Sequence, residues 1–545
     1  MTDNSFYKLI KSQSALLRPF WYLAVIIFLL AIAMTVLSVA FAIINQEIVD
    51  NVFVSLNLNY LLDLLPIIIG LFILTMVVET SSSYLHAKLR ALHSIAAQKD
   101  FYSKILKANY HFVSSVMPND IYYRMFVDTS VITSFAYSML LINPISIMTT
   151  TILLVVIFMW SWQLALFITV CMIFQLFLAQ IFKKPLKYAT ERYRIDEQNV
   201  ATSVEESFRI IDIIKAFFAE SWQKKRVEQK LEFLFNSKLK TQFFNILFTS
   251  LTTIIHTFWS LGALIFGAWL ATRNIISIGA YIGIYSVASR IYAPLNQLIG
   301  QTLAYQQVKV SQERMLEYTG KIDERYNSGK IPFLLKNGIV VKDLSFSYAD
   351  RSIFTKSNFE FKCGKLYVIS GKSGQGKTTL IKLLAGLFFP NEGKIFIDNI
   401  DTTDIQYLDF RNSIAYMPQQ SVIFEASLRE NVAFGNEYSD DKIFECLVSV
   451  GMAEYVNSLE KGLDTLIGLK NRNMSDGEKQ RICLARVLIR TPKVVLLDEP
   501  TSHLDEKSSR IIFESLHNYK KQQRPIIIMV SHNAIDEHVD EWIKM

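Results

Sequence analysis

The chain has 545 residues, of which 51% are hydrophobic and only 19% are charged. This composition is too apolar for an ordinary soluble protein and the length exceeds one compact domain, so it indicates a membrane-embedded part beside a second domain. The 56 Lys and Arg residues only slightly outnumber the 49 Asp and Glu residues. That surplus requires no nucleic-acid partner, because cytoplasmic loops of membrane proteins carry extra Lys and Arg. The four cysteines form no CxxC pair, which indicates reduced thiols in a chain that faces the cytosol.

Six hydrophobic stretches precede residue 310, each long enough to cross a hydrocarbon core of about 30 Å as a helix of about 20 residues. They cover residues 19–44, 60–80, 136–160, 163–182, 244–271 and 276–298. Lys and Arg are concentrated before the first span and in the long connections after spans two and four, whereas the other connections contain only Arg273. By the positive-inside rule we expect a multi-pass protein of the cell membrane with both termini cytoplasmic. We also expect spans two to five to continue as helices beyond the membrane.

A polar stretch with Gly and Pro breaks, residues 318–336, predicts a linker. It separates a transmembrane domain with six spans, residues 1–317, from residues 337–545, where short apolar strands alternate with helical runs. The predicted fold is therefore a membrane α-helical bundle followed by an α/β domain.

The strongest motif is GKSGQGKTT at residues 371–379, which follows an apolar strand and precedes a helical run. Only glycine lets the backbone approach phosphates so closely that consecutive N–H groups and the helix N-terminus face the anion. Lys377 would place its charge on the β- and γ-phosphates, and Thr378 would offer a hydroxyl to Mg²⁺. The predicted ATP-binding residues of this loop are Gly371, Lys372, Ser373, Gly374, Gln375, Gly376, Lys377, Thr378 and Thr379.

A second motif, VVLLDE at residues 494–499, places two carboxylates at the end of a buried strand. We expect Asp498 to hold Mg²⁺ through water and Glu499 to orient or deprotonate an attacking water. His532 follows another apolar strand, at a position that suits a γ-phosphate sensor. A structural role for this histidine stays open.

With these motifs the chain resembles an ATP-binding cassette (ABC) exporter of the half-transporter kind, in which one membrane domain is fused to one P-loop ATPase domain. The resemblance covers essentially the whole length of the chain. The resemblance implies that Tyr348, in LSFSYAD, stacks on adenine. It implies that Gln419, in YMPQQ, is a Mg²⁺ ligand and a lever to the membrane domain. It also matches Asp505, in SHLD, to the D-loop of the family. ATP and Mg²⁺ are the implied cofactors, with Thr378, Gln419 and Asp498 around the metal.

The signature sequence of the family, normally LSGGQ, stands here as MSDGE, where Asp476 and Glu478 replace the usual Gly and Gln. The resemblance implies that Ser475 and Gly477 contact the γ-phosphate bound by Lys377 of a second chain, since a helix N-terminus offers N–H groups to an anion. We therefore expect a homodimer, although a heterodimer stays open. The resemblance also predicts coupling helices near residues 112–120 and 209–215.

The substrate is predicted less sharply than the ATP site. Among exporters of this build, the sequence is most similar to those of bacterial peptides or bacteriocins. A lipid or multidrug exporter and a regulatory, non-transporting ABC protein are the alternatives. An importer is disfavoured because importers usually keep the two domains on separate chains, and a soluble repair ATPase is excluded by six spans.

Four ionisable residues lie at span depth, where a charge is costly and indicates a site: Asp63, Glu79, His256 and Arg290. Two of them, His256 and Arg290, are candidates for a substrate cavity, together with aromatic and hydroxyl side chains suited to an amphipathic cargo. On the competing interpretation Asp63 and Glu79 lie at span ends, Arg290 pairs within the bundle, and the aromatic residues pack helix against helix.

Overall fold

The computed structural model describes residues 3–54, 58–116, 118–319, 329–348, 351–372, 374–468, 474–502, 504, 506–531 and 538–545. The chain divides into two compact units. The first consists of Met1–Leu106 and Met117–Gly320, and the second of Lys107–Val116 and Lys321–Met545. The segment Lys107–Val116 therefore belongs to the same unit as the C-terminal part of the chain.

The first unit is entirely helical in its described part. Its helices, together with α4 of the second unit, are α1 Asp3–Leu17, α2 Trp21–Ile48, α3 Leu58–Leu106, α4 Tyr110–Ser115, α5 Pro118–Tyr123, α6 Thr129–Tyr137, α7 Asn143–Trp160, α8 Trp162–Arg209, α9 Ile211–Ala216, α10 Glu220–Thr272 and α11 Ile278–Thr319. Three short π-helical segments accompany these helices. The segment Val49–Val54 follows α2, Arg124–Asp128 joins α5 to α6, and Ser138–Ile142 joins α6 to α7.

Each predicted span lies on this helical framework. Five helical segments of the described chain are long and apolar enough to cross a membrane: Tyr7–Val54, Asn59–Leu106, Pro118–Trp160, Trp162–Phe182 and Glu220–Thr272. The sixth predicted span lies on α11, which contains Arg290, Asn296 and Gln297 and is accordingly more polar. The third span is one continuous helical run whose π-helical segment marks the passage from α6 to α7.

Four helices are far longer than a membrane requires. The helices α3, α8, α10 and α11 contain 49, 48, 53 and 42 residues, whereas about 20 residues span a bilayer core. The expected continuation of spans two, four and five as helices is therefore seen in α3, α8 and α10, and span three lies in a helical segment of 43 residues, Pro118–Trp160. Buried apolar side chains from α2, α7, α8, α10 and α11 form the core of the bundle: Ala42, Leu153, Ile157, Leu164, Ala165, Ile168, Trp259, Ala263, Leu270, Ile284, Val287, Ala288 and Ile291.

The second unit is built on a parallel sheet in which the strand order is β11-β3-β10-β9-β6. An antiparallel sheet of order β2-β1-β4-β5 and a short β7-β8 ribbon accompany it. The strands are β1 Gly338–Tyr348, β2 Arg351–Lys362, β3 Leu366–Ser370, β4 Glu392–Ile397, β5 Ile400–Asp401, β6 Ile414–Met417, β7 Ala426–Ser427, β8 Leu466–Ile467, β9 Val494–Asp498, β10 Ile526–Val530 and β11 Glu541–Lys544.

Helices pack around these sheets: α12 Lys377–Leu384, α13 Tyr407–Ser413, α14 Leu428–Ala433, α15 Asp440–Ser449, α16 Ala453–Asn457, α17 Asp476–Leu488 and α18 Glu506–Gln523. Every residue of β9 and β10 is buried, as expected for parallel strands covered on both faces. Because β3, β9 and β10 are parallel neighbours, their carboxyl ends meet at one edge of the sheet. Ligands of open α/β sheets bind at this edge, so it is the place to look for the ATP site.

Candidate functional site

The glycine loop joins β3 to α12 at the carboxyl edge of the sheet. Gly376 stands at the N-cap of α12 with φ 97°, and a Cβ atom there would lie only 2.4 Å from Ile353 Cγ2. Only glycine combines this backbone conformation with so little space. Lys377 is buried, and its Nζ donates hydrogen bonds to the carbonyl oxygens of Gly371 at 2.8 Å and Lys372 at 3.0 Å. Its amine therefore lies across the loop, where the predicted phosphates bind.

The oxygen ligands predicted for Mg²⁺ lie together beside this loop. The Thr378 hydroxyl donates to Asp498 Oδ1 at 3.0 Å, and Asp498 ends β9 with 1% of its surface exposed. Hydroxyl and carboxylate oxygens are the hard ligands that Mg²⁺ prefers, so the pair fits the implied metal. Burial raises the pKa of the Asp498 carboxyl, and the adjacent charge of Glu499 raises it further. A bound divalent cation would favour the ionised form instead.

Glu499 follows Asp498 in an unusual backbone conformation. Its φ of 50° is in the left-handed region, which is costly for a residue with a side chain. Its N–H donates to the Val530 carbonyl at 3.0 Å, which ties it to the end of β10. Gln419 Nε2 donates to Glu499 Oε2 at 2.9 Å. The structure thus brings the two predicted residues into contact at the same sheet edge as the Thr378–Asp498 pair.

Tyr348 ends β1 close to the start of α12. The hydroxyl groups of Tyr348 and Thr379 lie 3.3 Å apart, and the Tyr348 ring meets the rings of Phe346 and Phe388 edge to face at centroid distances of 5.0 and 5.5 Å. The tyrosine is therefore half-buried beside the glycine loop. Adenine stacking by Tyr348 stays a prediction. Thr379 is buried and contacts Tyr348, and Gln375 uses its amide oxygen within the loop, where it accepts from the backbone N–H of Lys372.

The signature residues begin α17. Ser475 is the N-cap, its hydroxyl accepts from the Glu478 N–H at 3.3 Å, and the Glu478 carboxylate accepts from the Ser475 N–H at 2.9 Å. These two hydrogen bonds form a capping box. The S-x-x-E spacing of Ser475 and Glu478 is its signal in the sequence, although the predicted site does not make use of it. Asp476 is exposed and pairs with Lys479 at 2.9 Å. Gly477 lies close to Leu504, since a Cβ atom would be 3.1 Å from Leu504 Cδ2.

Three predicted site residues, Ser373, Asp505 and His532, lie outside the described residues. Their assignments stay predictions.

Phe388 was not predicted, although it contacts several elements of the site. Its ring lies 5.5 Å from that of Tyr110 and 5.8 Å from that of His111, both on α4, as well as 5.5 Å from that of Tyr348. Of the coupling helix predicted near 112–120, residues 112–115 lie on α4 and residues 118–120 on α5. The second predicted coupling helix, 209–215, overlaps α9, Ile211–Ala216. The coupling role of these helices stays a prediction.

The span-depth candidates lie in the first unit. Asp63, Glu79 and Arg290 are exposed. Arg290 forms no ion pair with any described residue, so the predicted alternative of a pair within the bundle is not seen there. The His256 ring lies against that of Tyr292, with centroids 4.0 Å apart. His256 and Arg290 are on different helices, α10 and α11.

Two family models match segments of the chain. Residues 24–295 match the ABC transporter transmembrane region, and residues 354–502 match the ABC transporter model. The fold is similar to that of a bacterial Atm1-family ABC exporter with ATP bound, with a TM-score of 0.80, 20% identity and coverage of 95% of this chain and 91% of the other.

Curated relatives are somewhat more similar in sequence and extend over most of the chain. An ATP-dependent lipid A-core flippase of Francisella tularensis subsp. holarctica (strain OSU18) is 25% identical over 485 residues, 88% of this chain and 79% of that protein. The uncharacterized ABC transporter ATP-binding protein YwjA of Bacillus subtilis (strain 168) is 27% identical over 373 residues, 68% of this chain and 65% of the relative. With its helical transmembrane domain and its ATPase site on one chain, the protein belongs to the ABC transporters, as an exporter that couples ATP hydrolysis to transport.

Proposed function

We propose that this ATP-driven exporter moves a lipid-like amphiphile with an anionic headgroup across the cell membrane. Lipid export is one of the alternatives that the sequence leaves open. The relatives named as lipid A-core flippases favour it, and they do not support export of a peptide or bacteriocin. The observation that carries the proposal is the exposed side chain of Arg290, which forms no ion pair with any described residue and lies on α11, the helix of the sixth predicted span.

Arg290 belongs to an exposed stripe of polar and small residues on α11. Its exposed neighbours on the same side of the helix are Ser289, Ala293, Gln297 and Gly300, which recur at helical spacing. A charged side chain that faces lipid costs about 2.5–3.5 kcal/mol on insertion scales, and such residues usually face a cavity or the bundle interior. We therefore assign this stripe to the transport path, where a guanidinium suits a phosphate or carboxylate.

The exposed surface of α3 is the opposite kind. Large apolar side chains cover it, including Leu62, Ile67, Phe72, Met76 and Val77, each more than half exposed. That surface suits acyl chains of the surrounding lipid. The bundle thus combines an apolar exposed surface on α3 with a more polar exposed surface on α11.

Two copies of the chain are proposed to form the working exporter, with Ser475 and Gly477 of one copy completing the ATP site around Lys377 of the other. Asp505 and His532 are proposed to serve this shared site. The glycine loop and Asp498 would hold ATP together with Mg²⁺, which would supply phosphoryl-transfer chemistry. Glu499 is proposed to orient the attacking water or to accept a proton from it. Both termini and the ATPase unit are proposed to be cytoplasmic.

A substrate screen in phosphatidylcholine nanodiscs tests the proposal. The purified protein is assayed for ATPase activity with short-chain phosphatidic acid, with an alkyl trimethylammonium of similar chain length, and with an amphipathic peptide of 20 residues. We expect the phosphatidic acid to stimulate hydrolysis and Arg290→Ala to raise its half-maximal concentration about tenfold, whereas Arg290→Lys retains most of the response. Stimulation by the peptide but by no anionic lipid would overturn the lipid assignment.

A further inference from the structure

We infer that a small cavity between α8, α10 and α11 is a hydrogen-bonding subsite that recognises a neutral oxygen, such as a hydroxyl, on the headgroup of the transported molecule. The cavity is lined by Ile168 of α8, His256, Trp259 and Ser260 of α10, and Tyr285 and Ser289 of α11. The inference rests on the proposed function, because it extends the recognition of the amphiphile beyond the charge at Arg290.

Trp259 supplies the first observation. Its side chain is 3% exposed, yet its indole nitrogen has no hydrogen-bond partner among the described residues. An indole N–H can only donate, so it requires an acceptor. A buried donor without an acceptor is costly, and native structures rarely keep one without a reason.

His256 supplies the second. Its Nε2 atom is also buried and without a partner among the described residues. The ring is held between Tyr292, at a centroid distance of 4.0 Å, and Trp259, at 5.5 Å edge to face. His256 and Trp259 are three residues apart on α10, so their side chains lie on the same face of the helix. Two residues with an unpartnered ring nitrogen thus line one cavity from one turn of helix.

The hydroxyl groups of the cavity lining already have partners. Ser260 Oγ donates to Tyr285 Oη at 3.3 Å, and Ser289 Oγ donates to the Ser286 carbonyl at 2.9 Å. The cavity lining contains no Lys, Arg, Asp or Glu. A hydroxyl of the ligand fits this lining because it can accept from the Trp259 N–H and, at the same time, donate to or accept from His256 Nε2, whichever tautomer is present. The neutral lining separates this role from that of Arg290, which attracts charge.

Two short-chain lipids of equal acyl length separate the two roles. Phosphatidylglycerol and phosphatidic acid are both anionic, but only the first carries neutral alcohol hydroxyls on its headgroup. We measure the half-maximal concentration of each for ATPase stimulation in phosphatidylcholine nanodiscs. Trp259→Phe should raise the value for phosphatidylglycerol about three- to tenfold, the effect of one lost hydrogen bond, and change the value for phosphatidic acid less than about twofold.

His256 variants provide an independent measurement, which also serves if Trp259→Phe does not fold. His256→Phe keeps a ring against Tyr292 and removes both nitrogens, so it should reproduce the selective loss. His256→Gln restores a polar group and should recover part of the response to phosphatidylglycerol. The matched control is Trp269→Phe, at a tryptophan that is 50% exposed and remote from the cavity lining, which should change neither value.

The outcomes distinguish this inference from the proposed function. If neither lipid stimulates hydrolysis, the lipid assignment fails and this subsite fails with it. If both lipids stimulate but the cavity variants shift both values equally, or shift neither, then the cavity holds only a structural water or packs the helices, and the inference is overturned.

Discussion

Gln419 Nε2 lies 2.9 Å from Glu499 Oε2, so the side chain predicted to act as a lever contacts the predicted base directly. The two residues come from different segments, the loop after β6 and the end of β9, which are neighbouring strands of the parallel sheet. A movement of the Gln419 loop would therefore change the position of the Glu499 carboxylate. We expect this hydrogen bond to link the predicted hydrolysis step to conformational change.

Glu499→Gln should leave ATP binding intact and lower turnover at least about a hundredfold, because the amide keeps the shape of the side chain but cannot accept the proton. Nucleotide binding and phosphate release are measured on the same preparation. Glu506→Gln, at an exposed residue that starts α18, is the control and should retain activity. Turnover of Glu499→Gln at the parental rate would show that Glu499 is not the base.

Lys377→Ala should weaken ATP binding itself, at least about tenfold, since it removes a charge-assisted contact to the phosphates. Mixing this variant with Ser475→Ala chains tests whether one site is shared between two chains. Each mixed dimer would contain one intact site and one doubly damaged site, so partial recovery of ATPase activity is expected. No recovery at any mixing ratio would contradict sites shared in trans, unless both sites must be intact for turnover.

Glu478→Gln should change stability little, whereas Glu478→Ala should lower the free energy of unfolding of the ATPase unit by about 1 kcal/mol. The reason is that glutamine can still accept from the Ser475 N–H and preserve the capping box, and alanine cannot. Denaturant unfolding of the nucleotide-free protein measures both. Equal losses for the two variants would indicate that the charge of Glu478, and not its hydrogen bond, stabilises the start of α17.

Asp498→Asn should stabilise the nucleotide-free protein at neutral pH and weaken Mg²⁺-ATP binding at least about tenfold. Since burial raises the pKa of this carboxyl above its unfolded value of about 3.9, the folded state binds more protons than the unfolded state between the two pKa values. The stability contributed by Asp498 is therefore greatest at low pH and falls as pH rises through that window. Asparagine removes this loss and can still accept from Thr378.

Melting temperatures of the parent and of Asp498→Asn across pH 4–8 provide the measurement. The difference between the two proteins should grow with pH and then level off. A difference that shrinks as pH rises would mean that the ionised carboxylate stabilises the nucleotide-free fold.

Local patterns in the sequence determined the elements of this protein and the parts of its ATP site. Runs of apolar residues predicted six spans, and five of them lie on helical segments of the described chain that are long and apolar enough to cross a membrane, because membrane insertion depends on local hydropathy. The glycine spacing and the Lys377–Thr378 pair predicted the phosphate loop for a similar reason, since the loop, its charge and its hydroxyl are contiguous in the chain. The same holds for Asp498 and Glu499, adjacent residues at the end of one strand.

Contacts between distant segments were decided only by the tertiary structure. Nothing in the local sequence places Phe388 between Tyr110 and Tyr348, or sets Gln419 against Glu499, because these distances depend on strand order and on how helices pack. Polar atoms without partners are equally invisible in the sequence. In the sequence, Trp259 looks like any other apolar residue of a span. Only the packing of α8, α10 and α11 makes it line a cavity and leaves its buried N–H without an acceptor among the described residues.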